Sequence, residues 1–141
     1  MFYTYLKKIN TKFPEFEGSN WLIRIPLAIV FIQQGLSKLP FDHSTAEAYG
    51  LPIIVWIAVI CSELMAGFGL LFGGILRSIE FLKWFGDLLT RFSGTIIVGI
   101  ITGVIMVSKP DNLLEILLYD HFHFILCCGG LFFALRGNRV K

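Results

Sequence analysis

The sequence predicts an all-α membrane protein, a single domain in which four transmembrane helices form a bundle. Of the 141 residues, 55% are apolar and 16% are charged, whereas soluble domains average about 25% charged residues. Four apolar segments approach the roughly 20 residues that a helix needs to cross a bilayer, so membrane lipid is the expected surrounding. The net charge is only +2, and nucleic acid is therefore not an expected partner.

The N-terminal residues 1–20 mix lysines with aromatic side chains, which is typical of a segment lying at the lipid headgroups. No cleavage site is recognisable, so the apolar segment that follows is expected to remain as the first span, residues 21–39. Arg24 and Lys38 share one helical face of this span, and Gln34 lies beside that face. A face with these groups should point into the bundle. The alternative is that Arg24 and Lys38 extend to opposite membrane interfaces.

The second predicted span, residues 53–74, contains one ionisable side chain, Glu63. Its carboxyl group lies about 15 Å from the start of the helix, near the middle of the bilayer. A carboxylate at that depth is costly unless it is protonated or paired, so we expect Glu63 to be protonated and to donate a hydrogen bond within the bundle. Gly69 and Gly73 form a GxxxG pair, which predicts a close contact with a neighbouring helix.

Residues 75–88 carry apolar side chains on one helical face and charged side chains on the other. This pattern predicts an amphipathic interfacial helix along the membrane surface between the second and third spans, with a surface for a soluble partner as the alternative. The third span, residues 88–108, is rich in small residues, and its GxxxG pair at Gly99 and Gly103 predicts tight packing. The fourth span covers residues 115–135.

Polar side chains on three of the spans predict a shared site. Asp120 and His123 lie on one face of the fourth span, and their depths make His123 and Gln34 the expected first neighbours of Glu63. A polar pocket between helices suits a quinone ring or a proton path, and a purely structural hydrogen-bond network is the alternative. No residue spacing supports a metal site or haem. The candidate binding or proton-site residues are Glu63, Gln34, Lys38, His123, Asp120 and Arg24.

Basic residues predict the orientation. Ten of the twelve lysines and arginines fall in the N-terminal region, the connection between the second and third spans, and the C-terminal region. This bias predicts a multi-pass protein of the inner (plasma) membrane with both termini in the cytoplasm. The membrane domain then covers residues 21–136, and residues 137–141 form a tail.

Several motifs resemble those of one protein family. The first span has the pattern R-x3-A-x2-F-x3-G-x2-K, the second begins with G-L-P and ends with G-x-L-L-x-G, and L-T-R-F-S-G precedes the third. In this order and spacing, over about residues 20–136, they resemble the DoxX family. The resemblance implies a four-helix inner-membrane protein whose relatives include the small membrane subunit of thiosulfate:quinone oxidoreductase. It also implies quinone as a cofactor and redox or other membrane-complex subunits as partners.

Three functions follow as hypotheses. The first is a membrane subunit or accessory of a quinone-linked redox system, which would not be catalytic alone. The second is a non-catalytic scaffold or assembly subunit of a membrane complex. The third, a small-solute permease acting as an oligomer, is weaker because no inverted repeat is visible.

The topology is testable by cysteine labelling in a background without the three native cysteines. A membrane-impermeant maleimide added from the periplasmic side should label Asp42→Cys and Asp111→Cys, because both positions fall in predicted outer connections. Arg139→Cys is the matched cytoplasmic control and should react only after the membrane is permeabilised. Strong labelling of Arg139→Cys in intact cells would overturn the topology.

Overall fold

A computed structural model describes residues 18–108 and 120–139, and within these ranges the secondary structure is helical, with no strand. The all-α class is therefore confirmed for this part of the chain. The predictions for the N-terminal segment, for the third connection with the start of the fourth span, and for the end of the tail concern residues 1–17, 109–119 and 140–141. These predictions lie outside the described residues.

Residues 18–108 and 120–139 contain five α-helices and one short 3-10 helix. In these ranges, two helical stretches are long and apolar enough to cross a membrane, with 24 residues in the first and 29 in the second. The first and last helices are apolar but have only 17 and 16 residues, or about 25 Å each at 1.5 Å per residue. The elements are α1 (Trp21–Ser37), α2 (His43–Ala48), α3 (Ile53–Leu76), the 3-10 helix (Glu80–Leu82), α4 (Lys83–Ser108) and α5 (His121–Arg136).

The four longer helices pack in chain order, α1 on α3, α3 on α4 and α4 on α5. α5 also meets α1 over a short stretch, where Gly129 lies against Leu27. Buried apolar side chains from all four helices form one core, because each helix packs an apolar surface against its neighbours and removes it from the solvent. The core residues are Leu27, Ala28, Phe31, Ala66, Leu70, Ile97, Ile101, Leu126 and Phe133.

Glycines permit the close approach of α3 and α4, because they have no Cβ atom. Gly69 and Gly73 of α3 lie directly against Ser93 and Thr90 of α4, as the GxxxG pair predicts. A Cβ atom added to Gly73 would lie 2.9 Å from the carbonyl oxygen of Gly86, so only glycine fits there. The packing predicted for the second GxxxG pair is not found: added Cβ atoms at positions 99 and 103 meet none of the described atoms within 4 Å. Both glycines lie away from the α4 face that contacts α3 and α5.

The amphipathic segment 75–88 does not form one helix, which corrects the sequence-based expectation. α3 ends at Leu76, Ile79 has an extended backbone, and α4 begins at Lys83 and continues without a break. Gly86 packs against the end of α3, so the first turns of α4 belong to the bundle. The sequence does not mark this turn, because its apolar and charged residues keep the spacing of a continuous helix.

The short helix α2 covers the end of the bundle where α1 ends and α3 begins. The Asp42 side chain caps it by accepting a hydrogen bond from the Ser44 backbone N–H (3.2 Å). Hydrogen bonds from the Ser44 side chain and backbone hold the pKa of Asp42 below its usual range. On the inner side of α2, Ala46 packs against Trp56 and Ile60 of α3.

Candidate functional site

An ion pair joins α1 to α3. The Lys38 ammonium, just after the end of α1, lies 2.7 Å and 2.8 Å from the two carboxylate oxygens of Glu63. Glu63 is 4% exposed, whereas the Lys38 side chain keeps 19% of its surface exposed. Lys38 also donates to Gln34, at 3.2 Å to the backbone oxygen and 3.4 Å to the side-chain oxygen. We call Lys38, Glu63 and Gln34 the Lys38–Glu63 site.

This geometry corrects the expectation that Gln34 and His123 are the first neighbours of Glu63, because Lys38 is its hydrogen-bond partner. Both carboxylate oxygens accept hydrogen bonds from Lys38, which is the arrangement of an ion pair. Side chains in a helix lean towards its N-terminus. Lys38, at the C-terminal end of α1, therefore leans into the bundle, and Glu63 leans along antiparallel α3 towards it. Depths counted from Cα positions cannot show this convergence.

Asp120 and His123 form a separate pair. The two carboxylate oxygens of Asp120 lie 2.6 Å and 2.7 Å from His123 Nδ1, and both side chains are about one-third exposed. Among the described residues, no hydrogen bond joins this pair to Glu63. The reason is the order of packing, because α5 packs on α4 and lies across the bundle from α3. The predicted single pocket is thus two separate groups.

Arg24 lies at the other end of the bundle and is completely buried, so it does not extend to the membrane interface. Its guanidinium donates to the Leu70 backbone oxygen, to Thr90 Oγ1 (3.2 Å) and to Asn138 Oδ1 (2.6 Å). It also faces the rings of Trp21 and Phe133, 4.6 Å from the Phe133 centroid. Within the described part of the chain, no carboxylate forms a salt bridge with it.

Asn138 is the polar residue that sequence reasoning missed. It follows Gly137, whose φ of 62° turns the chain back at the end of α5. Its amide donates to the Gly73 oxygen (2.8 Å), its backbone N–H donates to Asp87 (2.7 Å), and its carbonyl accepts from Arg77. The Gly-Asn pair after the last apolar segment was the available signal. Arg24, Thr90 and Asn138 form what we call the Arg24 cluster.

The Arg24 cluster and the Lys38–Glu63 site offer different chemistry. The Arg24 cluster is sealed and its charge is held by neutral dipoles, so it suits a structural role. The Lys38–Glu63 site is partly open and contains both a donor and an acceptor of protons, so it can bind a polar ligand or pass a proton. In residues 18–108 and 120–139, no three metal-ligating side chains converge.

In the described part of the chain, the helical bundle contains two helices that are apolar and long enough to span a bilayer, as in helical membrane proteins. A family model described as DoxX matches residues 20–109, more than half of the chain, and the protein belongs to the DoxX family. The match includes Arg24, Gln34, Lys38 and Glu63, whereas the residues of α5 lie beyond it. No curated protein and no solved structure matches the chain.

The Lys38–Glu63 pair can be tested by removing its members singly and together. Lys38→Met should lower the free energy of unfolding by about 3 kcal/mol, the lower end for a broken buried pair, because Glu63 can take up a proton. The double variant Lys38→Met/Glu63→Leu should recover most of this loss, since neither charge remains. Denaturant titration in detergent measures both. Equal losses in the single and double variants would contradict a direct pairing.

The Arg24 cluster predicts that Asn138→Ala destabilises the bundle. The change removes an acceptor from a buried charge, and hydrogen bonds to charged groups contribute about 1.5–3 kcal/mol. Arg139→Ala is the matched control: Arg139 is the next residue and is exposed, so its replacement should change stability by less than about 0.5 kcal/mol. A similar loss in both variants, measured by thermal unfolding in detergent, would show that the side chain of Asn138 does not hold Arg24.

Proposed function

We propose that this DoxX-family membrane protein is a membrane subunit or accessory of a quinone-linked redox system, and that the Lys38–Glu63 site binds the quinone headgroup. The observation that carries the proposal is the partly exposed ion pair between α1 and α3, with Gln34 beside it. Charged groups within membrane spans are costly, and they commonly mark ligand sites or proton paths.

The site has the groups that quinone chemistry needs. A quinone carbonyl can accept a hydrogen bond from the Lys38 ammonium, and a quinol hydroxyl can donate one to the Glu63 carboxylate. Reduction of a quinone to a quinol consumes two electrons and two protons. The ion pair can deliver one proton to a ring oxygen, regain a proton from solvent through Lys38, and then supply the second proton to the other ring oxygen. The electrons come from a partner redox subunit, so the chain works as part of a complex.

The membrane arrangement belongs to the same proposal. The four longer helices cross the inner membrane, with the Arg24 cluster in the cytoplasmic half and the Lys38–Glu63 site in the outer half. The bias of basic residues supports this orientation. Residues 75–88 then lie near the cytoplasmic surface, where the exposed Trp84 suits the headgroup region. The short α1 and α5 can be accommodated by local thinning of the bilayer.

One observation favours the second hypothesis, a non-catalytic scaffold or assembly subunit. Both Glu63 carboxylate oxygens are already hydrogen-bonded to Lys38, so the pair can hold α1 against α3 without any ligand. A scaffold would use the exposed apolar faces of the helices to contact other membrane subunits or further copies of itself. A small-solute permease has no comparable observation in its favour.

The deciding variant is Glu63→Gln, which keeps the shape of the side chain and removes its charge. Protein purified in mild detergent should lose about tenfold or more of its bound quinone, because a charge-assisted interaction contributes about 1.5–3 kcal/mol. The loss should appear while the fold is retained, as judged by helical content at the temperature of the quinone measurement. Extracted quinone per mole of protein is the measurement, with co-purifying subunits identified from the same preparation.

Asp120→Asn is the matched control, because Asp120 is an acidic residue paired to His123 and is not connected to Glu63. It should retain quinone. If Glu63→Gln leaves bound quinone and turnover unchanged while Glu63→Leu harms assembly only, the pair is structural and the scaffold hypothesis is correct.

A further inference from the structure

The indole N–H of Trp56 is a buried donor without an acceptor among the described residues. Trp56 lies near the start of α3 and is only 3% exposed. Apart from Arg24 Nε, it is the only fully enclosed side-chain nitrogen or oxygen without a partner in the part of the chain that the structure describes. A buried donor left unpaired is unfavourable, and in native proteins it needs an explanation such as a ligand or an ordered water.

Trp56 lies on the same face of α3 as Glu63. Ile60 and Glu63 follow it at four and seven residues along α3, so all three side chains lie within one narrow stripe. Seven residues correspond to about 10 Å along the helix axis. Both the indole and the Glu63 carboxylate lean towards the start of α3, and Lys38 contacts the carboxylate from that end of the bundle. The unpaired donor therefore belongs to the same end and the same face as the ion pair.

The direction of this N–H is fixed by its neighbours. The Tyr49 ring stacks on the indole, with 5.1 Å between centroids and 20° between the planes. Ala46 of the short helix α2 packs against Trp56 as well. A ring held in this way cannot turn to find another acceptor, so its donor is pre-oriented for a group that arrives at the edge of the indole.

We propose that Trp56 is a second hydrogen-bond donor of the quinone site, and that its N–H donates to one quinone carbonyl while Lys38 donates to the other. The inference rests on the proposed function and extends it. A 1,4-quinone carries its carbonyl groups on opposite edges of the ring, so it needs two donors that are separated in space. Lys38 and Trp56 provide such donors from α1 and α3.

The test uses the full chain in detergent with decylubiquinone and a short-chain menaquinone as probes. Trp56→Phe keeps a flat aromatic ring but removes the N–H donor together with the five-membered ring, so the Kd measured by equilibrium dialysis should rise about three- to tenfold. Trp84→Phe is the matched control, because Trp84 is 69% exposed and lies at the other end of the bundle, and its Kd should equal that of the unchanged protein.

Fluorescence provides an independent measurement, since the chain has three tryptophans. Two proteins are compared: Trp21→Phe/Trp84→Phe, which leaves Trp56, and Trp21→Phe/Trp56→Phe, which leaves Trp84. Quinone should quench Trp56 strongly at concentrations near the Kd, and Trp84 only weakly. The comparison also corrects for absorption by the quinone itself.

The outcomes separate this inference from the proposed function. If Lys38→Met weakens quinone binding and Trp56→Phe does not, Trp56 has no part in the site and the proposed function stands. If Trp56→Phe changes only the phospholipid that co-purifies, the acceptor is a lipid ester carbonyl and the inference is wrong. If Trp56→Phe lowers stability without changing the Kd, the residue acts only in packing. If the unchanged protein binds neither probe, the proposed function and the inference are both wrong.

Discussion

The burial of the Arg24 guanidinium constrains the arrangement of the helix ends. A buried cation must be compensated, and here neutral acceptors from α3, α4 and the turn after α5 perform that task. Three acceptors can reach one side chain only if the helices that carry them approach closely. Gly73 and Gly86 permit that approach where α3 meets α4. The small residues at this end thus serve the electrostatic requirement as well as the packing.

The opposite end meets the same requirement in another way. There, one lysine and one glutamate neutralise each other directly, so no convergence of several helices is needed. The consequence is a difference in access: Arg24 is sealed, whereas Lys38 keeps part of its surface exposed. The neutral acceptors around Arg24 are fixed in place, so they offer a ligand no free hydrogen-bonding group and no proton. An ion pair can open, and each member can then bind a ligand atom or take part in proton transfer. For this reason we propose the Lys38–Glu63 site, and not the Arg24 cluster, as the ligand site.

The surfaces outside the core fit a lipid environment. Large apolar side chains are exposed along the outward faces of α1, α3, α4 and α5, among them Leu22, Ile54, Phe92 and Ile125. In water such faces would associate, whereas in a bilayer they match the acyl chains. The open face at Gly99 and Gly103 belongs to this outer surface, so GxxxG spacing alone does not identify a helix contact within one chain.

The sequence by itself determined the helical class, the long apolar segments, the position of Glu63 within one of them and the inward face of the first helix. These features depend on composition and on the helical period, which are local properties. Family membership also followed from local motifs. Only the tertiary structure decided that Lys38 pairs with Glu63, that Asn138 holds Arg24, that His123 bonds to Asp120 instead, and that the helix breaks at Ile79. Each of these depends on which helices are neighbours, on side-chain length and direction, and on turn geometry, because residues distant in sequence are brought together only when the helices pack.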